Sequence, residues 1–147
     1  MTKMPYIKWE PHNSVHVNIL DEQHRKLFNI VNDLIDEMDS GSKNLLPVIR
    51  DLVNYSRVHF HQENMVMMDS NYPGFLKHSR EHDRFIEKVE EFLNSCGEKD
   101  AGLERNMVIF LKDWIYTHTT KLDMQYADHL LNNADELGRI GKVKLNL

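Results

Sequence analysis

The chain has 147 residues, of which 41% are hydrophobic and 28% charged, and 23 acidic side chains outnumber 18 basic ones to give a formal net charge of -5. This size and composition suit one globular domain with its own core. The chain has no Lys/Arg-rich run, which argues against nucleic acid as a partner. The first residues, MTKMPYIKWEPHNS, lack the apolar core of a signal peptide, and no apolar run approaches the roughly 20 residues of a membrane span. We therefore expect a soluble, cytoplasmic protein.

The cysteine and histidine content limits the metal chemistry. Cys96 is the only cysteine, which excludes an intramolecular disulfide, a cysteine-ligated zinc site and a standard iron–sulfur cluster. Nine histidines remain. Any metal must bind through histidine and carboxylate, a ligand set that suits iron, manganese or zinc.

The N-terminal part of the chain changes from an irregular to a helical pattern near residue 18. Residues 1–17 contain two prolines and few periodic apolar positions, which predicts an extended arm that Tyr6 and Trp9 anchor on the domain. From about residue 18 to residue 38 the apolar positions recur every three or four residues, which predicts a helix. His24 falls on the apolar stripe of this helix and is expected to point inward.

Two pairs of candidate metal ligands flank one turn in the middle of the chain. His59 and Glu63 are four residues apart, as are His78 and His82, so each pair projects from one face of a helix. The sequence DSNYPG between the pairs is a strong turn signal. Two antiparallel helices, at about 44–68 and 75–94, would then bring the pairs face to face.

The third helix has the most regular pattern. His78 and His82 continue a stripe of four apolar residues at steps of three and four, namely Phe75, Phe85, Val89 and Phe92. Two unpaired imidazoles in such a stripe are costly, so something must satisfy them. A metal ion does so, and an acidic partner without a metal would do so too.

A fourth helix is predicted from near residue 103. Its inward stripe is predicted to contain Leu103, Met107, Phe110, Trp114 and His118. Asp123 follows His118 by five residues, which is about 140° off one face of an ideal α-helix. These two side chains are therefore expected to approach a common cluster from either side of the stripe.

Four helices of similar length with short connections predict an all-α, up-down-up-down antiparallel four-helix bundle with an extended N-terminal arm. We assign a single domain, 1–147, with the arm at 1–17, the bundle at about 18–132 and a C-terminal tail at 133–147. The end of the tail, GRIGKVKLNL, is short, basic and alternating. It is compatible with docking to a protein partner or with disorder.

The inward-facing candidates comprise five imidazoles and two carboxylates, which are too many for one metal. They are His24, His59, His78, His82, His118, Glu63 and Asp123. Two octahedral metals offer roughly 12 ligand positions, of which these seven side chains and one bridging oxygen fill about 11. The remaining position is open to a small ligand such as dioxygen.

Four segments carry a resemblance to a known family. DEQHRKLF, HFHQE, YPGFLKHSREHDRF and WIYTHTTKLDMQY resemble, in order, the motifs of the hemerythrin family, and in particular its single-domain bacterial members. The resemblance covers roughly residues 9–131. It implies two iron ions that alternate between Fe²⁺ and Fe³⁺ and share a bridging oxo or hydroxo group. It assigns His78, His82 and His118 to the coordinatively full iron, His24 and His59 to the iron with the open position, and Glu63 and Asp123 to the bridges.

The resemblance also implies a function and an oxygen pocket. The function is reversible dioxygen binding for storage, delivery or buffering, without an enzymatic activity, in a monomer that also accepts nitric oxide or azide-like anions. Phe60, Trp114 and Ile115 match positions that wall the pocket in the family, and Thr119 stands where a larger aliphatic residue is common.

Two alternatives stay open. The first is a domain that senses oxygen, nitric oxide or iron and reports to a partner through the tail. The second is a di-iron oxidoreductase, against which the histidine-rich ligand set argues.

Overall fold

The regular structure of the chain is helical throughout the part that is described. The computed structural model describes residues 4–41, 45–95 and 101–147, so Cys96 lies outside it. The α-helices are α1 (Asn18–Asp39), α2 (Leu45–Asp69), α3 (Phe75–Asn94), α4 (Ala101–Thr117), α5 (Asp123–Asn132) and α6 (Ala134–Ile140). Within those ranges no helix has the length and apolar character needed to cross a membrane.

Four helical rods form a closed bundle. Helix α1 packs against α2 and α4, and α3 packs against the same two helices, so each rod has two neighbours. The fourth rod consists of α4, a π-helical turn at His118–Leu122 and α5 in one continuous run. The predicted all-α four-helix bundle is confirmed. The bounds of α3 are those predicted, and α4 begins two residues before the predicted start.

The interior contains two apolar clusters. The main core includes Phe28, Leu52, Phe85 and Ile115, and the end core includes Leu20, Met67, Tyr126 and Leu130. On every rod the candidate ligands lie in sequence between a residue of the main core and a residue of the end core, as His24 does between Leu20 and Leu27. The polar centre of the bundle is therefore enclosed by apolar side chains toward both ends.

The packed face of α4 differs from the predicted stripe. Leu103 is 37% exposed, and Phe110 and Trp114 are half-buried. The fully packed positions are Met107, Val108, Leu111 and Ile115, with His118 and Thr119 in the π turn. The predicted stripe is wrong at Leu103 because this residue lies in the first turn of the helix, at the edge of the packed interface. Along the rest of α4, the buried face is rotated by about one residue relative to the predicted stripe, so that Leu111 and Ile115 point inward rather than Phe110 and Trp114.

The arm crosses the bundle as predicted. Ile7 is buried, and its backbone N–H donates to Asn32 Oδ1 at 2.9 Å while Asn32 Nδ2 donates to the Ile7 carbonyl at 2.8 Å. Trp9 packs against the main core, and the Arg25 guanidinium lies 4.1 Å from its ring centroid. The Tyr6 hydroxyl donates to Asp36 Oδ1. Both predicted anchors therefore hold the arm against α1.

The C-terminal tail folds back on its own bundle. Helix α6 ends at Ile140 and is followed by Gly141, whose φ of 76° lies in the left-handed region that glycine adopts without strain. Val143 is buried in the end core, and the Asn146 backbone N–H donates to the His16 carbonyl at 2.7 Å. The tail thus covers the end of the bundle where α1 begins.

Candidate metal centre

The seven candidate ligands converge in the middle of the bundle, where none is more than 6% exposed. Their ligand atoms form two overlapping groups, within each of which the atoms lie no more than 4.8 Å apart. The three-histidine group comprises His78, His82, His118, Glu63 and Asp123. The two-histidine group comprises His24, His59, Glu63 and Asp123.

Glu63 divides its two carboxylate oxygens between the groups. Its Oε2 atom lies 2.9 Å from His24 Nε2 and 3.0 Å from His59 Nε2. Its Oε1 atom lies 2.9 Å from His82 Nε2, with His78 Nε2 at 3.4 Å and His118 Nε2 at 3.6 Å. The carboxylate therefore spans the two groups as a bridging ligand would.

Asp123 repeats this division from the other side. Its Oδ2 atom lies 3.0 Å from His24 Nε2, and its Oδ1 atom lies 3.0 Å from both His78 Nε2 and His118 Nε2. Both carboxylates thus face a histidine of each group with a different oxygen.

A π-helical turn places Asp123 beside His118. The backbone N–H of Asp123 donates to the His118 carbonyl five residues earlier, so the turn at His118–Leu122 has the wider i to i+5 spacing. On this spacing the two side chains share one face of the rod. The expectation that they approach from either side of an α-helical stripe is wrong because the backbone is not α-helical here.

The unpaired polar atoms of the cluster fit a pair of cations. Glu63 Oε1 and both carboxylate oxygens of Asp123 are buried, and in the part of the chain that is described they accept no hydrogen bond of good geometry. His118 Nε2 lies 3.1 Å from His78 Nε2 and 3.0 Å from His82 Nε2. A ring nitrogen either donates or accepts, so one proton arrangement cannot make good hydrogen bonds of both contacts of His118 Nε2. Ligands bound at about 2.1 Å to one octahedral ion stand about 3.0 Å apart, which matches these contacts.

In the absence of a metal the carboxylates hold protons on part of the cluster. Burial lowers the pKa of His24 and His78, but Asp123 and Glu63 outweigh it and raise these pKa values to about 10 and about 9. The same causes raise the pKa of His118.

The other charges of the cluster follow from the same contacts. Burial favours the neutral carboxyl form, yet the neighbouring imidazoles hold the pKa of Glu63 and of Asp123 below its usual value. For His59 and His82 burial prevails and lowers the pKa. Both carboxylates are therefore ionised, and the charges of His24 and His78 oppose them.

These pKa shifts predict that metal binding releases protons. A metal takes the neutral imidazole, so binding at pH 8 must displace the protons of His24 and His78. We expect about two protons or more per chain on anaerobic addition of Fe²⁺, measured by pH-stat titration. Mg²⁺, which prefers oxygen ligands, should release few or none. Uptake of iron without proton release would contradict the charge assignment.

Three polar partners of the cluster were not predicted, of which Gln23 and Tyr126 are buried and Asn64 is half-buried. The Tyr126 hydroxyl donates to Glu63 Oε2 at 2.9 Å, and Gln23 Oε1 and Asn64 Oδ1 lie at hydrogen-bond distance from His59 Nδ1 and His82 Nδ1. Tyr126 could have been found from its spacing of three residues from Asp123, since both then face inward. The two amides adjoin ligands in sequence, but sequence alone does not indicate which histidine each contacts.

Two of the predicted pocket residues, Phe60 and Trp114, stack on histidines of the centre. The Phe60 ring stacks on His82 with centroids 4.0 Å apart, and the Trp114 ring stacks on His118 at 4.3 Å. Phe60 also lies 5.9 Å from the His59 ring. Ile115 and Thr119 are buried in the same stretch of the fourth rod.

The fold and the centre together define a class of protein, a four-helix bundle with a buried cluster of histidines around two shared carboxylates. The family model described as the hemerythrin HHE cation binding domain matches residues 15–130. The chain therefore belongs to this family.

Individual relatives agree with the family match. The chain is 27% identical over 139 residues to a bacteriohemerythrin of Stenotrophomonas maltophilia, covering 92% of this chain and 89% of that one. It is 28% identical over 126 residues to the myohemerythrin of Sipunculus nudus, covering 86% and 94%. A crystal structure of wild-type hemerythrin superposes with a TM-score of 0.72 at 26% identity, covering 84% of this chain and 97% of that one.

Proposed function

We propose that this protein binds dioxygen reversibly at a non-haem di-iron centre and stores, delivers or buffers it without an enzymatic activity. The observation that carries the proposal is the unequal division of histidines around two shared carboxylates. Three imidazoles face one oxygen of each carboxylate, while two imidazoles lie on the other side. With equal contributions from the bridges, an iron held by the two-histidine group would have one protein ligand fewer than an iron held by the three-histidine group.

The seven candidate ligands would divide between the two irons. His78, His82 and His118 would hold the full iron, and His24 and His59 would hold the iron with the open position. Glu63 and Asp123 would bridge them, together with an oxo or hydroxo group. When bound, such an iron pair supplies two electrons to dioxygen and recovers them when dioxygen leaves.

The surrounding residues favour reversibility by excluding water and free acids. The ligands are enclosed by two apolar clusters, and Phe60 and Trp114 cover imidazoles of the three-histidine group. The Tyr126 hydroxyl donates to Glu63, and burial raises its pKa well above the usual value, so it stays protonated. A water-poor site in which no strong acid is free disfavours proton-driven loss of reduced oxygen.

An oxygen titration tests the proposal. The protein is loaded anaerobically with Fe²⁺, the iron is counted per chain, and visible spectra are recorded as dioxygen is admitted and then purged. Two irons and an absorption band that appears with oxygen and disappears on purging are expected. Irreversible oxidation would favour a sensor or an oxidoreductase, and one iron or none would refute the ligand assignment.

Thr119 provides a test of the proposed pocket. We expect Thr119→Ile to slow autoxidation of the oxygenated form several-fold, because the isoleucine adds apolar volume beside the centre and removes a hydroxyl that can hold water. The decay of the oxygen-dependent band at constant temperature measures the effect. Thr120→Ile is the matched control, since the Thr120 hydroxyl donates to the Tyr116 carbonyl and its side chain is only half-buried. Equal decay of the wild type and Thr119→Ile would refute the pocket role.

A further inference from the structure

Two amide side chains each contact one histidine of the centre at the ring nitrogen remote from the carboxylates. Gln23 Oε1 lies 2.8 Å from His59 Nδ1, and Gln23 is only 7% exposed. Asn64 Oδ1 lies 3.1 Å from His82 Nδ1. Each group of ligands therefore contains one such contact, at His59 in the two-histidine group and at His82 in the three-histidine group.

The direction of these hydrogen bonds decides which nitrogen carries the ring proton. An amide oxygen can only accept, so Nδ1 of His59 and of His82 must donate. The neutral ring has one N–H, which leaves a lone pair on Nε2. Those lone pairs face Glu63, with His59 Nε2 at 3.0 Å from Oε2 and His82 Nε2 at 2.9 Å from Oε1. Two lone pairs at this distance repel each other unless a cation binds both.

The charge of the acceptor matters as much as its geometry. A carboxylate that accepts from a metal-bound histidine makes the imidazole more basic and stabilises a more highly charged metal ion. Gln23 and Asn64 carry no charge, although the centre already contains two buried carboxylates. A third carboxylate beside His59 would add negative charge where the proposed open position lies and would favour Fe³⁺ over Fe²⁺.

We propose that Gln23 and Asn64 are positioning residues. They fix the tautomer of His59 and His82 that carries its proton on Nδ1 and leaves the Nε2 lone pair free for a metal, and because they are uncharged they keep the bound metal pair easy to reduce. The part of this proposal that concerns reduction rests on the proposed di-iron function. The part that concerns the ring proton does not, because it applies to any cation bound by Nε2.

Two variants of Gln23 distinguish the effect of its hydrogen bond to His59 from the effect of its lack of charge. Gln23→Leu removes the acceptor, and Gln23→Glu keeps an acceptor but adds a charge. Loss of the partner of a metal-bound histidine typically weakens metal binding 10–100-fold. We therefore expect Gln23→Leu to lose its iron at a chelator concentration about 10–100-fold lower than the wild type does. Gln23→Glu should retain iron as well as the wild type and show a lower midpoint reduction potential.

Gln125→Glu is the matched control, because Gln125 is exposed on α5 and the change adds the same charge two residues from Asp123. It should leave both the chelator resistance and the potential unchanged. If it lowered the potential as much as Gln23→Glu, the effect would be one of net charge and the proposal would be overturned.

The position of the His59 ring proton can be measured without iron. In the Zn²⁺-loaded wild type, ¹⁵N-resolved NMR of the histidine side chains should show the proton of His59 on Nδ1, coupled to Gln23. Gln23→Leu should shift or broaden that signal and leave those of His78 and His118 in place. An unchanged His59 signal and unchanged chelator resistance in Gln23→Leu would overturn the proposal. If the wild type shows the fixed Nδ1 proton with Zn²⁺ but never loads two irons, the di-iron function fails while this assignment stands.

Discussion

Replacement of Glu63 by glutamine should reduce the iron content from two per chain to one or none and abolish the oxygen-dependent absorption band. Each oxygen of Glu63 lies within 3.0 Å of a histidine nitrogen of a different group, so this one side chain serves both proposed irons. Glutamine keeps the shape but replaces one oxygen by an NH₂ group, which cannot bind a cation. It also removes one negative charge from a site where burial makes uncompensated metal charge costly.

Metal analysis and visible spectroscopy measure this effect, with circular dichroism to establish that the helices are retained. Asp113→Asn on the exposed face of α4 is the matched control and should leave two irons bound. Asp123→Asn should behave like Glu63→Gln, because Asp123 makes the equivalent divided contacts. Retention of two irons in Glu63→Gln would show that this carboxylate does not bridge them.

Removal of the metal should lower the melting temperature by about 10 °C when the free metal concentration would otherwise be about 1,000 times its dissociation constant. At that ratio, binding to the folded state alone adds about 4 kcal/mol, and each kcal/mol shifts the melting temperature of a chain of this size by about 2–4 °C. The seven ligands come from all four rods, so the bound ions join parts of the chain that are distant in sequence.

The difference between the metal-loaded and metal-free melting temperatures should widen as the pH rises from about 7 to about 9. In the metal-free protein the raised pKa values of His24 and His78, about 10 and about 9, contribute stability that is complete below the ordinary value of 6.5 and is lost as the pH rises through 9 and 10. The affinity for the metal rises over the same pH range because fewer protons must be displaced from the histidines. Above pH 6.5 the lowered pKa values of His59 and His82 keep both neutral, so they do not disturb the comparison.

Differential scanning calorimetry of Zn²⁺-loaded and chelator-treated protein, at three pH values, measures both effects. Zn²⁺ avoids oxidation during heating. A melting temperature that does not change on metal removal, or a difference that narrows toward alkaline pH, would contradict the proposed roles of His24 and His78.

The positions of the helices and of most ligands follow from the sequence because both depend on local spacing. His59 with Glu63, and His78 with His82, share a helix face at a separation of four residues, and this face continues the apolar stripe of each helix. The turn residues between them force the helices antiparallel. These features need no knowledge of the rest of the chain, and the structure reproduces the predicted bounds of α3.

Other features were decided by tertiary packing. An ideal α-helix separates His118 from Asp123, but the backbone adopts the wider π spacing there, and both side chains reach the same cluster. The partners of Gln23, Asn64 and Tyr126 lie on other helices, at separations of 18 to 63 residues. The tail was compatible with docking or with disorder on its sequence. In the structure its place is set by Val143 in the end core, whose other members come from α1, α2 and α5 among other segments. Local spacing thus determined which side chains point inward, and the assembled bundle determined what each of them contacts.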